Sequence, residues 1–495
     1  MILVFVCYAA ALFAAYRVAS RLAQDTPLHL IGLTLLLFLC GLSGAAAYAG
    51  FVGHLHPVGL VIALAVLSGA AWIWGRKLPA LPSLCATAAR GPRGLGFAAL
   101  LAMGLVLALA AMMIARQMTL PPVTSSDAVW HYVPNIINLV QAGTLHHFEG
   151  ISAYMPLAFE ITFAWEIAFV GSLLLVPVLQ SVVFIVGLIY MLLIADLGLK
   201  DMTVAARRIG MVAAAIFWVG SQTIYDVFGS AGKNDLFYIV CGLAAAYYLL
   251  RHAIIGRHLW LAGLIGLFTG LAVAAKISGA PLVGILGLLY LLSAWRVVGA
   301  RRLVSDVMWA GAAFMFGTLP WVLRIVFQPG VMGEQTEVIA VGSANTIWNQ
   351  WDAAVYQLSV PRWILPVALL IMGQMLLLWL RPQAAPRTKI IPGALVVLGM
   401  LLLLDPQFDR HLGGFYGILA VVAITLVTAA FQRQRLPKAA LILMALAGAQ
   451  MLLLLLVPYS AWIDEWSWSG DVFFGINYRY AGAAVPLFAA AQIIL

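Results

Sequence analysis

Charge is what this chain has least of. Of its 495 residues, 64% are hydrophobic and only 9% are charged, against about 25% charged in a soluble globular protein. A soluble domain is excluded, because there is too little polar surface to clothe a core in water. Cysteine is also scarce. Cys7, Cys40, Cys85 and Cys241 show no paired spacing, which argues against a zinc site or a disulfide framework. No glycine-rich phosphate loop is present to hold a nucleotide. The first apolar run, Ile2 to Tyr16, lacks a basic leading segment and a small-residue cleavage site, so it reads as a retained helix and not as a signal peptide. No internal repeat is evident, which weakens a transporter reading, since many transporters are built from repeated halves.

What remains is a succession of apolar runs with a mean hydropathy of +1.03. At about 1.5 Å per residue they are long enough to cross roughly 30 Å of hydrocarbon, and they lack the alternation of barrel strands. The expected fold class is an all-α polytopic membrane protein with about 15 transmembrane helices. These fall near 1–16, 29–51, 57–75, 95–115, 173–196, 209–228, 235–251, 259–275, 278–294, 304–326, 362–380, 390–404, 413–431, 438–457 and 479–495. With the N-terminus outside and the C-terminus inside, most of the 27 Lys and Arg gather on the cytoplasmic face, from Arg17/Arg21 through Lys200/Arg207/Arg208 and Arg251/Arg257 to Arg433/Arg435/Lys438. The positive-inside rule requires that arrangement. The net charge of +9 therefore reflects topology, and no nucleic acid is expected as a partner.

Acidic residues do the opposite. Of 18, only Asp25, Asp196, Asp201 and Asp306 fall inside, so the polar chemistry is expected on the outer face. Three outer loops are long: 117–172, 327–361 and 458–478. The first is too long for a simple connection, and its stretch from Tyr154 to Glu166 reads as a helix lying in the membrane interface.

That loop opens on S-S-D-A-V-W-H-Y-V-P-N, with Asp127 and His131 four residues apart. On a helix they share a face, so one can take a proton while the other orients it. An aspartate after two serines is also a good helix cap. His146, His147 and Glu149 are weak metal ligands, because adjacent histidines rarely face one ion. A divalent cation would more naturally be oxygen-ligated, by Asp127 and a substrate phosphate, and no other cofactor is implied. A second cluster, G-S-A-G-K-N-D, places Asn234 and Asp235 in a short outer turn, with Asp226 just before it. Ionisable groups at such depth are costly and point to function by default, although both residues would also cap a helix.

Lys276 interrupts two apolar helices on the same side, where the positive-inside rule asks for no lysine. A phosphate would supply its counter-charge, and snorkelling to the interface is the plainer account. Arg479, beside Tyr480, opens the last span from outside. Arginine suits bidentate phosphate recognition, while an aromatic belt would anchor the same segment. Arg324 and Arg362 bracket the second long loop and are weaker candidates of this kind.

In their order, these motifs resemble the core of the GT-C superfamily, integral-membrane glycosyltransferases that use polyprenyl-phosphate-linked sugars. The resemblance covers about 95–330. It rests on an in-to-out helix followed by a long outer loop opening on D-A-V-W-H-Y-V-P, on K-N-D entering a helix, on G-L-A-V-A-A-K-I-S-G, and on a second long outer loop after the core spans. The first motif is similar to that of bacterial members related to protein mannosyltransferases.

A GT-C-like fold would divide the chain into three extra helices over 1–94, a core over 95–330 whose loop 117–172 carries interfacial helices and the catalytic acid, and a variable module over 331–495. The activity implied is inverting transfer of a sugar from a polyprenyl-phosphate donor to an acceptor hydroxyl on a glycan, lipid or protein, at the periplasmic face of a bacterial inner membrane. Asp127 and Asp235 correspond in position to the two outer-loop acids, with His131 assisting. Lys276 and Arg479 would meet the lipid phosphate, flanked by Asn234 and Tyr480. Ala128 stands where some members carry a second carboxylate, which leaves metal dependence open. Two rivals stay open: an O-antigen ligase or polymerase using diphosphate-linked glycans, and a transporter or flippase of lipid-linked substrates.

Overall fold

The computed structural model describes residues 1–23, 25–75, 96–125, 128–146, 156–255, 258–276, 280–295, 300–326, 437–456 and 483–494. All regular structure among them is helical. Among the described residues six helices are long and apolar enough to cross a membrane, and three shorter ones are also apolar. The chain is a helical membrane protein. It divides into a first unit, 1–215 with 226–332, and a second, 216–225 with 333–495. In the second unit, helices Lys438–Leu456 and Ala484–Ile494 pack on each other.

The first unit holds α1 (Ile2–Leu22), α2 (Pro27–Phe51), α3 (Pro57–Gly75), α4 (Gly96–Thr119), α5 (Val133–Ala142), α6 (Ala164–Val170) and α7 (Val176–Gly198). α8 (Val204–Gly220) and α9 (Gln222–Gly229) lead out of it and back, followed by α10 (Asp235–Ile255), α11 (Leu259–Ala275), α12 (Ala280–Trp295) and α13 (Ala300–Val326). Helices occupy most of the expected stretches that fall among the described residues, six of them long and apolar enough to cross a membrane. Those near 362–380, 390–404 and 413–431 lie outside the described residues. The span expected near 209–228 is instead two helices, α8 and α9, interrupted at Ser221. α1 continues past its expected end to Leu22, and Arg17 within it lays its guanidinium over the Trp72 ring, 4.4 Å from the centroid, as an amphipathic side chain can.

α2 starts at a proline behind a threonine cap, the Thr26 hydroxyl accepting from the His29 amide at 3.1 Å, as helix starts favour. α11 lies against α13 along Gly263, Gly266 and Gly270. A Cβ on Gly266 would fall 2.0 Å from the Ala310 carbonyl oxygen, and one on Gly270 2.5 Å from that of Phe314. The two backbones touch, as small residues permit where no hydrophobic effect drives helices together.

Where α1 turns into α2, a buried polar cluster ties the N-terminal helices to α10. Asp25 accepts from His29 Nδ1 at 2.6 Å and from Arg251 Nη1 at 2.8 Å. His29 Nε2 meets the Tyr248 hydroxyl at 2.9 Å, and that hydroxyl lies 3.2 Å from Tyr190 on α7. Arg251 looks like part of a solvated basic cluster in the sequence, yet only 1% of it is exposed. Burial raises the Asp25 pKa, but the His29 hydrogen bond and the charges of His29 and Arg251 outweigh it and hold the carboxyl below its usual range. The resulting stabilisation is complete above about pH 4, the ordinary carboxylate value, and fades as pH falls through the lowered one. Replacing Arg251 with Ala strands a buried carboxylate. Unfolding of the detergent-purified variant should show a loss of about 3–5 kcal/mol, and a loss under 1 kcal/mol would remove the pair's structural role.

Candidate functional site

At the opposite end of the bundle, where α2 ends at Phe51, three segments converge. The turn between α9 and α10 carries Asn234 and Asp235. Gly232 enables it by adopting φ +90°, a left-handed conformation open to glycine. A Cβ there would come 3.0 Å from the Ala128 Cβ and 3.3 Å from Val123 Cγ1, so the opening of the first long loop packs directly on this turn. Thr124 fastens it: its hydroxyl donates to the Gly229 carbonyl at 2.6 Å and accepts from the Ala231 amide at 3.0 Å.

The third segment is the end of α11. Lys276 donates its ammonium to Asp235. Beside this pair the Asn234 side-chain amide donates to the Ala275 carbonyl at 2.6 Å. The counter-charge that Lys276 requires is therefore supplied within the chain. Asn234 is 4% and Asp235 4% exposed, while the Lys276 side chain is the most open of the group at 11%. An ammonium on carboxylate in such surroundings is held by electrostatics that water barely screens.

Asp127 itself lies outside the described residues, as do Arg479, Tyr480, Arg362, His147 and Glu149. His131 is half-buried in a π-helical turn, Ala128–Tyr132, and makes no hydrogen bond or ion pair to Asp235 or Lys276. His146 reaches the Phe51 carbonyl at 3.0 Å. Asp226 accepts at its backbone carbonyl from the Ser230 amide and hydroxyl. Arg324 lies over Trp321. No group of three or more His, Cys, Asp or Glu suited to a metal ion occurs among the described residues.

One member is missing from the sequence-based set: Glu160. The segment around it was expected at the membrane surface, but it runs into the bundle. The Ala158 carbonyl accepts from Ser43 in α2, the Ala158 amide donates to the Ala274 carbonyl at 3.0 Å, and Trp165 donates its indole N–H to the Leu42 carbonyl at 3.0 Å. Ser43 precedes the end of α2 by eight residues, a depth of about 12 Å at 1.5 Å per residue. A 3₁₀ turn, Glu160–Phe163, then leads into α6. Glu166, fully buried, is satisfied by the Ser172 hydroxyl and the Leu175 amide.

Glu160 is held differently. It has no exposed surface, and no side chain among the described residues hydrogen-bonds its carboxyl oxygens, which lie by the backbone amides of Glu160 and Asn234. Burial raises its pKa well above normal. The neighbouring Asp235 raises it further, and the backbone amides of Glu160 and Asn234 and the Lys276 ammonium offset this only in part. A lone carboxylate in an apolar, aromatic-rich stretch with no basic residue nearby in sequence was the available signal.

No family model matches the chain, and no curated protein or solved structure is similar to it.

Since the native state binds the Glu160 proton more tightly than the unfolded chain, its contribution to stability is fully present below about pH 4.3, the ordinary glutamate value, and is lost as pH rises through the raised one. Glu160→Gln keeps the shape without the ionisation. Compared with wild type, this variant should gain stability as pH is raised from 5 to 9 in thermal unfolding experiments. Parallel pH profiles for the two proteins would show that Glu160 is ionised throughout.

Proposed function

We propose that the protein is a membrane glycosyltransferase of the GT-C type, with about 15 transmembrane helices in all, acting at the periplasmic face of a bacterial inner membrane on a polyprenyl-phosphate-linked sugar. The observation that carries this reading is convergence. The loop that opens with Asp127, the turn with Asn234 and Asp235, and the helix end with Lys276 are distant in sequence, yet Val123 and Ala128 lie against Gly232 while Lys276 lies against Asp235.

A base on the loop and a cation on the helix end give the two poles a displacement needs. In this reading Asp127 takes the proton of the acceptor hydroxyl, and the freed oxygen attacks the anomeric carbon. The sugar–phosphate bond breaks and its electron pair leaves with the lipid phosphate, whose charge is met by Lys276 and Arg479. One displacement inverts the anomeric centre. In this reading Asp235 fixes the Lys276 ammonium in place, His131 assists Asp127, and Asn234 and Tyr480 are further donor-binding residues. A divalent ion, where one is used, would bind Asp127 and the phosphate oxygens.

Membranes carrying Asp127→Asn should lose about 10²–10⁴-fold of transfer from a labelled polyprenyl-phosphate sugar while the protein accumulates normally. Transfer within a few-fold of wild type would remove Asp127 as the base. A strict requirement for a diphosphate donor would point to the ligase or polymerase class. Lipid movement across the bilayer without any glycosylated product would point to a carrier.

A further inference from the structure

We propose that the furrow lined by α1, α2, α3, α11 and α13 is a binding site for one phospholipid with an anionic headgroup. The first ground is the furrow itself. It encloses about 640 Å³, inside the range of about 300–1,000 Å³ that small-molecule sites occupy. Small residues make the space. Gly266 and Gly270 of α11 close directly on α13, whereas Ala71 and Gly75 of α3 and Ala312 and Ala313 of α13 leave the neighbouring gap unfilled.

The lining decides what kind of molecule fits. Every side chain in it is apolar apart from the indole N–H groups of Trp260 and Trp309. A polar solute would lose its hydration there without replacement, and a hydrocarbon chain would lose nothing. The furrow also lies between helices of a membrane protein, where such chains are the solvent. Trp260 and Trp309 stand at one end of it, their rings edge to face at 5.2 Å, and Trp260 is the second residue of α11. Indoles favour the level of lipid headgroups, so a headgroup belongs at that end.

Charge at the same end selects the headgroup. α1 lines the furrow with Val18 and Leu22, and Arg17 and Arg21 stand beside them near the end of the helix. Contact places Arg17: a Cβ on Gly75 would lie 3.6 Å from Val18 Cγ2 and 3.8 Å from the Arg17 carbonyl oxygen. α11 and α13 run in step, Gly266 beside Ala310 and Gly270 beside Phe314, which brings Arg301 level with the start of α11. Arg21 and Arg301 are exposed, and none of the ion pairs among the described residues includes them or Arg17. The nearby acids are engaged elsewhere, Asp25 by His29 and Arg251 and Asp306 by the Tyr290 hydroxyl. Basic residues at the mouth of an apolar recess between membrane helices match an anionic phosphate headgroup.

The purified full-length protein tests this in detergent, by native mass spectrometry during titration with dioleoyl phosphatidylglycerol or dioleoyl phosphatidylcholine. The two lipids share their chains and differ in charge. One phosphatidylglycerol per chain should bind at least about tenfold more tightly than phosphatidylcholine, since each arginine near a headgroup contributes about fivefold. Arg21→Ala combined with Arg301→Ala should bring that preference to within about fivefold. Ala313→Trp fills the furrow from the α13 side and should weaken the binding of both lipids.

Equal affinity for the two lipids, a preference undiminished in the double arginine variant, or undiminished binding in Ala313→Trp would each overturn the site. Where a variant fails to fold, the wild-type protein decides. Phosphatidylglycerol carrying a photoreactive group at the end of one chain should label residues that line the furrow, and labelling confined to other residues would overturn the site. A negative result leaves the glycosyl-transfer reading intact, because that reading concerns the other end of the bundle and is tested through Asp127.

Discussion

A charge taken into this apolar bundle has to be neutralised where it lies, and the Asp235–Lys276 pair is where that constraint organises the first unit. Asp235 opens α10 and Lys276 closes α11, so joining them ties the open end of a two-helix hairpin. The Asn234–Ala275 hydrogen bond makes a second tie alongside. The same turn receives the first long loop through Gly232, and the segment carrying Glu160 docks on the α11 end through Ala158 and Ala274. Removing either member of the pair would leave an uncompensated charge among groups that are almost wholly buried, a far larger penalty than losing a surface ion pair.

The Asp25–Arg251 cluster obeys the same rule at the other end of the bundle. There a carboxylate, a guanidinium, an imidazole and three phenols satisfy one another across α2, α7 and α10. The two clusters differ in how their carboxylates are held. The Asp25 carboxylate accepts from the side chains of both His29 and Arg251, whereas no side chain among the described residues hydrogen-bonds Glu160.

How far the sequence foretold this depends on the kind of signal. Hydropathy located most described helices, because a membrane span is a local property of some 20 residues. Asp235 and Lys276 stood out because ionisable residues at the mouths of spans are rare. Their pairing did not, because it joins positions on two different helices with no local pattern between them. Glu160 was read as the polar face of a surface helix, since alternation of apolar and acidic residues looks the same whether the acid meets water or is buried. Arg251 was counted with the solvated basic loops for a similar reason: charge position along the chain reports topology, not burial. The π-helical turn at Ala128–Tyr132 also escaped, and it changes the register on which a four-residue spacing such as that of Asp127 and His131 was judged, since i→i+5 bonding widens the turn.

The distribution of polar groups along α10 bears on what the convergent site is for. From Leu236 to Ala246 the helix is buried, and apart from the Tyr238 hydroxyl and the Cys241 thiol its side chains are apolar. That stretch of 11 residues spans about 16 Å. Across it α7 presents Val183, Phe184, Val186, Leu188 and Ile189, all buried, and the one polar side chain of α11 here, Thr269, is turned back onto its own helix at the Ile265 carbonyl. Among the described residues, then, a dry apolar layer separates the Glu160 group from the Asp25 cluster. A carrier needs its ion site to reach both faces in turn, along ionisable or water-lined positions. An enzyme that draws donor and acceptor from one face needs only the opposite: a recess open at one end and sealed below, where excluded water strengthens every charge interaction inside. In the proposed transferase reading, the apolar layer among the described residues would close the site from below.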